Sequence, residues 1–254
     1  MKYKIGDLVT RYSHGNDLVF SILSIKDNIC YLKGINVRLI ADADIDDLKA
    51  CDNPDKIENE DDFLDRIKPS FELERDDYFY VPGKILHIDS DEDYLNRCLN
   101  YYRDAHLEVV GINKSEPDIV NDIRDLLEEY NPNIIVITGH DAYYKDHMYK
   151  NSTNFIEAVK EARKYEKDHE KLVIIAGACQ SNYEELIKAG ANFASSPKRI
   201  NIHALDPAII ATSVSMSPSS VDIDLKKILS QTKYGSNGIG GIVTKGLMHV
   251  GYPR

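Results

Sequence analysis

Two unbroken aliphatic runs, Ile134-Ile135-Val136-Ile137-Thr138 and Leu172-Val173-Ile174-Ile175-Ala176, carry the strongest hydrophobic signal in the chain. Neither alternates with polar residues, the pattern of central parallel strands buried on both faces. Around them the pattern switches regularly between helical and strand periods. From Val81-Pro82-Gly83 onward it predicts strands over 84–89, 107–112, 134–138, 172–176 and 191–195. Between them, helical spacing predicts helices over 92–104, 117–130, 153–169 and 183–189, with another over 204–211. The second of these stops before Asn131-Pro132, because the residue before a proline leaves the α region. Gly190 is placed to cap the fourth. A last strand is expected within 242–250, after a Gly-rich turn at Gly235, Gly238, Gly240 and Gly241. This βαβ alternation predicts a right-handed, three-layer α/β sandwich with a mostly parallel central sheet.

The first 50 residues read differently. Short strands are expected over 4–9, 18–25, 29–32 and 37–40, broken by turns at Ser13-His14-Gly15-Asn16-Asp17 and Lys26-Asp27-Asn28. Their spacing suggests a small SH3-like β-barrel, of a kind that binds, tethers or simply packs on a larger domain. From Ala41 to Asp77 the chain is acidic and broken by Asn53-Pro54 and Lys68-Pro69, the composition of a linker, with one helix near 61–67. The resulting division is a barrel over 1–50, a linker over 51–80 and an α/β domain over 81–254.

Composition narrows the function. A net charge of −11 over 254 residues argues against general nucleic-acid binding and weakly favours basic partners. The four cysteines, Cys30, Cys51, Cys98 and Cys179, form no CxxC pair, so neither a disulfide framework nor a zinc site is expected. The opening Met1–Asp7 has no apolar run, and no stretch is long enough to span a membrane, so no leader and no membrane partner are expected. No cofactor or metal is called for.

The candidate chemistry lies just past the two aliphatic runs. In open α/β sheets, ligands gather beyond the carboxyl ends of the strands. His140 follows Thr138-Gly139 after one run, and Cys179 follows Gly177-Ala178 after the next. A cysteine at a strand end is ordinarily packing, and a lone histidine there is ordinarily structural. Together, at equivalent positions on successive strands, they are the pair that thiol attack requires, with imidazole as proton acceptor and donor. Small neighbours leave the sulfur approachable, and the following helix N-terminus favours a thiolate. Backbone N–H groups of Gly139, Asp141, Gly177 and Ala178 are candidates for an oxyanion site, and Asp141 is a candidate for orienting His140. The loop 143–151 is placed to gate the cleft.

At these residues the chain resembles the caspase and gingipain clan of cysteine peptidases, and more closely the YabG family of sporulation peptidases. The motifs are Lys4-Ile5-Gly6-Asp7, Val37 to Asp42, Val81-Pro82-Gly83-Lys84, Ile137 to Tyr143, Ala176 to Ser181, Gly190 to Pro197 and Arg199 to Pro207. The resemblance implies a caspase-like fold and a cysteine endopeptidase that processes spore coat and cortex proteins. It also implies action in the cytoplasm of the sporulating cell, in association with the coat, with protein substrates as partners. From the clan comes an expected preference for basic residues, with Asp89 or Asp206 as the acidic pocket and Ser195 and Ser196 lining the cleft. For Asp206, whose neighbour is Pro207, a helix-start carboxylate is the plainer reading. His203 is either a neighbour of the site or a plain helix-start residue, and Lys198 and Arg199 are expected at the surface. One departure matters: clan members carry Gly directly after the histidine, where this chain has Asp141.

Three other readings compete. His87-Ile88-Asp89-Ser90-Asp91-Glu92 is similar to the acidic cluster of response-regulator receivers, but Thr138-Gly139-His140 replaces their phosphoacceptor aspartate. A metal hydrolase using His140, Asp141, Asp146 and His147 lacks a spacing that fixes three ligands on one face. A catalytically inactive α/β scaffold is distinguished by changing Cys179.

Overall fold

The computed structural model describes residues 3–34, 40–51, 77–144 and 148–253. The expected strand residues 37–39, the helix near 61–67, most of the proposed linker, and Asp146 and His147 lie outside the described residues. The chain divides into two units, Met1–Leu73 and Glu74–Arg254.

The first unit is an antiparallel sheet of five strands: β1 (Leu8–Arg11), β2 (Phe20–Lys26), β3 (Ile29–Gly34), β4 (Ile40–Asp44) and β5 (Leu48–Ala50). Their spatial order is β4-β3-β2-β1-β5. Strand β2 shifts register between Ile22 and Ser24, an extra residue that bends the strand. The inward residues Val9, Phe20, Ile22, Cys30, Leu32 and Leu48 form a separate core, and the Tyr3 hydroxyl donates to Leu48 O across it at 2.7 Å. The acidic stretch therefore begins inside the sheet. In β4, Ala43 points into the core while Asp42 and Asp44 point outward, so a period of two hides a strand in a sequence that reads as linker.

The second unit is a mixed α/β domain. Its central sheet contains β7 (Ile85–Asp89), β8 (Val109–Asn113), β9 (Ile134–Thr138), β10 (Val173–Ala176), β11 (Phe193–Ser195) and β12 (Ile239–Gly241). They lie in the order β12-β11-β10-β9-β7-β8. All neighbours are parallel except β12, which runs antiparallel to β11. Side chains of β9 alternate between two cores, Ile134 and Val136 to one, Ile135 and Ile137 to the other. Helices α1 (Glu92–Asp104), α5 (Asp206–Ser215) and α6 (Leu225–Ser230) cover the first core. Helices α2 (Glu116–Tyr130), α3 (Ser152–Tyr165) and α4 (Tyr183–Ala189) cover the second. This two-sided burial is why the central strands read as continuous aliphatic runs.

The C-terminal region departs from the expected single strand. β12 is over before residue 242, and β13 (His249–Gly251) pairs instead with β6 (Phe79–Val81) in a separate antiparallel ribbon. The strand order also reverses at β7, with β8 on one side and β9 on the other. Such a reversal opens a crevice at the carboxyl ends of the diverging strands.

Candidate active site

That crevice is a cavity of about 300 Å³. Asp89 and Thr138 from the ends of β7 and β9, Gly139 to Asp141 beyond β9, and Gly177 to Cys179 beyond β10 line it. Tyr94 and Arg97 of α1 and Ile202, His203, Ala204 and Pro207 complete the wall. Of the sequence-derived candidates, Asp89, Gly139, His140, Asp141, Gly177, Ala178 and Cys179 thus share one cavity. Ser195, Ser196 and Asp206 are buried outside its lining. Asp206, expected at an acidic pocket, accepts from His203 N–H at 3.0 Å and Lys233 N–H at 2.9 Å, joining two segments of chain.

The Cys179 thiol meets the main chain of Ile202. Ile202 N–H donates to Sγ at 3.4 Å, and Sγ lies 3.8 Å from Ile202 O. Gly177 precedes it with φ +103°, and a Cβ there would stand 2.9 Å from Leu186 Cδ1, so glycine is required. The Gly177 N–H is used by Ile137 O at 3.1 Å and the Ala178 N–H by Ser181 Oγ at 2.9 Å. Among the described residues the Cys179 N–H has no hydrogen-bond partner.

The next residue, Gln180, has φ +60° and ties three loops together. Its N–H donates to Ile200 O and Ser196 Oγ, its Oε1 accepts from Tyr143 N–H at 3.1 Å, and its Nε2 donates to Asn201 Oδ1 at 3.2 Å. Arg199 is not a free surface charge. Its guanidinium donates to Tyr149 OH at 2.8 Å, stacks over that ring and pairs with Glu184.

His140 is held by its main chain: the N–H donates to Glu116 Oε1 at 2.9 Å and the carbonyl accepts from Asn151 Nδ2 at 2.7 Å. Gly139 makes room for this, since a Cβ there would collide with Ser90 Oγ and Glu116 Oε1. The carboxylate beside the imidazole is Asp91, 3.0 Å from Nε2, and not Asp141. Asp141 is turned inward. Its Oδ1 accepts from the N–H groups of Ala142 at 2.9 Å and Asn151 at 2.8 Å; its Oδ2 accepts from Ser181 Oγ at 2.9 Å and from Ser152 Oγ. It therefore binds the loop after β9, the start of α3 and the cysteine loop into one unit. Beneath the cavity, buried Asp89 accepts from Thr138 Oγ1 at 2.6 Å, and Thr138 meets His87 Nε2 at 3.0 Å. His87 Nδ1 meets Tyr102 OH at 2.9 Å.

The YabG peptidase U57 family model matches residues 4–253. The chain belongs to this family. It is also 41% identical to the sporulation-specific protease YabG of Bacillus subtilis (strain 168) over 286 aligned residues, covering 100% of this chain and 99% of that protein. In this YabG-family chain, the residues that sequence reasoning missed are Asp91, Gln180 and Ser181. The acidic end of β7 was visible as Asp89-Ser90-Asp91, but its place beside His140 depends on β7 pairing directly with β9, Asp89 opposite Thr138. Among the described residues no cluster of three or more His, Cys, Asp or Glu is arranged to hold a metal, and no helix is long and apolar enough to cross a membrane.

Proposed function

We propose that this sporulation-associated peptidase is a cysteine endopeptidase, with Cys179 as nucleophile and His140 as proton acceptor and donor. Family membership carries the peptidase activity. The observation that carries the thiol reading is the shared cavity: Cys179 and His140 line one crevice at the point where strand order reverses. Cys179 transfers its proton to His140 and attacks the scissile carbonyl. The developing oxyanion is taken by the Cys179 N–H, and His140 then protonates the departing amine. Water releases the acid from the acyl-enzyme.

A caspase-like layout is part of this reading, supported by the reversal at β7 and the antiparallel last strand β12. An SH3-like form of the first unit is supported by its five antiparallel strands and the bend in β2. For substrates we propose spore coat and cortex proteins, met in the sporulating cell. Cleavage after basic residues is supported by Asp89 in the cavity lining, a buried carboxylate that accepts from Thr138 Oγ1 and the Asp91 N–H. We place a gate beside the site at Tyr143 and Tyr149, which pair in an antiparallel bridge and are tied to Gln180 and Arg199.

The test is cleavage of spore coat extract by the native protein and by Cys179→Ala. Loss of cleavage in a folded Cys179→Ala protein supports the thiol mechanism; equal cleavage by both removes it. A peptide library cut without preference for Arg or Lys removes the basic specificity.

A further inference from the structure

We infer that Asp91 is the positioning residue for His140, fixing which imidazole nitrogen faces the thiol; this rests on Cys179 being the nucleophile. Asp91 does not line the cavity, so it meets no substrate there. It touches the imidazole instead, Oδ2 standing 3.0 Å from Nε2.

The carboxylate is itself held firmly. Its other oxygen caps α1, accepting the Tyr94 N–H at 3.0 Å. The Asp91 N–H donates to Asp89 Oδ1 at 2.8 Å, and Asp89 is buried against Thr138 at the end of the neighbouring strand. The histidine is held by further contacts. Its main chain is bound to Glu116 and Asn151, and its ring lies 5.9 Å from the Tyr94 ring at 57°. Both partners thus hang on the ends of β7 and β9, which are hydrogen-bonded neighbours.

The consequence is a choice of tautomer. The Tyr94 N–H and His140 keep the Asp91 carboxyl below the ordinary carboxylate range, so it is ionised near neutrality. An ionised carboxylate only accepts hydrogen bonds. Nε2 must therefore carry its proton, which leaves the lone pair on Nδ1. Nδ1 is then the atom that takes the thiol proton during attack and returns it to the leaving amine, with no net change at His140 over the cycle. The pair is part-exposed, the imidazole at 52% and the carboxylate at 29%. A surface contact at that exposure adds little stability. Its contribution is orientation.

Asparagine at position 91 inverts the arrangement. The amide oxygen is needed by the Tyr94 N–H, since asparagine caps helices as well as aspartate does. The amide nitrogen then faces Nε2 and donates to it, driving the ring proton to Nδ1, where it blocks proton transfer from the thiol. Serine also caps α1, but its hydroxyl, one bond shorter than the amide, does not reach Nε2.

The experiment compares full-length native protein, Asp91→Asn, Asp91→Ser and Cys179→Ala. For Asp91→Asn we expect kcat on a peptide substrate to fall by about 10²–10⁴-fold, the scale on which a misplaced imidazole proton acts. KM stays within about twofold, because a residue that meets no substrate leaves ground-state binding intact. Asp91→Ser is more active than Asp91→Asn. The ring nitrogens are read by ¹⁵N NMR at alkaline pH in the Cys179→Ala background. There we expect Nε2 protonated with Asp91 present and Nδ1 protonated after Asp91→Asn. Native kcat in a folded Asp91→Asn protein, or an unchanged tautomer, overturns the assignment. Cleavage that survives Cys179→Ala overturns the thiol reading instead, and the tautomer measurement still reads the Asp91–His140 pair directly.

Discussion

Truncating Asp141 removes the carboxylate that joins the two halves of the candidate site. It is 9% exposed and accepts from two main-chain N–H groups and two serine hydroxyls. In Asp141→Ala the Ala142 and Asn151 N–H groups each lose a charged acceptor, worth ~1.5–3 kcal/mol apiece. The hydroxyls of Ser152 and Ser181 can turn to water and count for less. Removing a carboxylate that has to be desolvated returns part of the loss, leaving a net destabilisation of about 2–4 kcal/mol. For a unit of this size that lowers Tm by roughly 4–16 °C. Asp141→Asn keeps an oxygen for the two N–H groups but sets an amide donor against two hydroxyl donors, for about 1–2 kcal/mol. Ser181 also supports the Ala178 N–H, one residue before Cys179, so both variants loosen the cysteine loop and lose activity. Urea titration of each variant, followed by circular dichroism, gives the order native, Asn, Ala. An Asp141→Ala unfolding free energy within about 0.5 kcal/mol of native would refute the clamp.

Three further outcomes follow from particular residues. Iodoacetamide at neutral pH should label Cys179 well before Cys98 or Cys30: burial pushes the Cys98 thiol up to about 12 and raises that of Cys30, and both are at most 1% exposed. Equal labelling of Cys98 and Cys179 by mass spectrometry would count against this. Arg163 donates to the carbonyls of Gly190, Glu166, Asp168 and Leu172 and to Asn192 Oδ1, so Arg163→Lys, which lacks the planar fork, should cost ~2–4 kcal/mol in denaturant titration; a neutral result would show that an ammonium suffices. Because the Asp91 carboxyl is depressed in the folded protein, its contribution is present above the ordinary carboxylate range and lost as pH falls through the lowered value. The stability gap between native and Asp91→Asn should therefore narrow on acidification below that range; a constant gap would contradict it.

Hydrophobic patterning made much of the α/β unit legible. The helix expected over 92–104 is α1, and that over 183–189 is α4. Both have apolar faces at helical spacing, and Gly190 stops the second. Pairing was less legible. Period and propensity say that β7, β8 and β9 are strands, but not that β9 lies against β7. For that reason Asp141, adjacent in sequence, looked like the partner of His140, while the carboxylate beside it is Asp91, 49 residues away. The C-terminal region failed for a related cause: β12 and β13 are three-residue strands whose partners are remote in sequence. Arg199 reads as a surface charge because nothing local reveals Glu184 or Tyr149. His140 and Cys179, in contrast, could be singled out because each directly follows a strand that the pattern marks.

The central claim is that the Cys179 sulfur is the nucleophile of this peptidase. The most direct measurement treats the full-length protein with a peptidyl chloromethyl ketone ending in arginine and maps the adduct by mass spectrometry of tryptic peptides. A single adduct on Cys179 is expected, formed at the rate at which cleavage is lost and sharply slowed by His140→Ala. Complete loss of cleavage with the adduct elsewhere, or full labelling of Cys179 with cleavage intact, would contradict it.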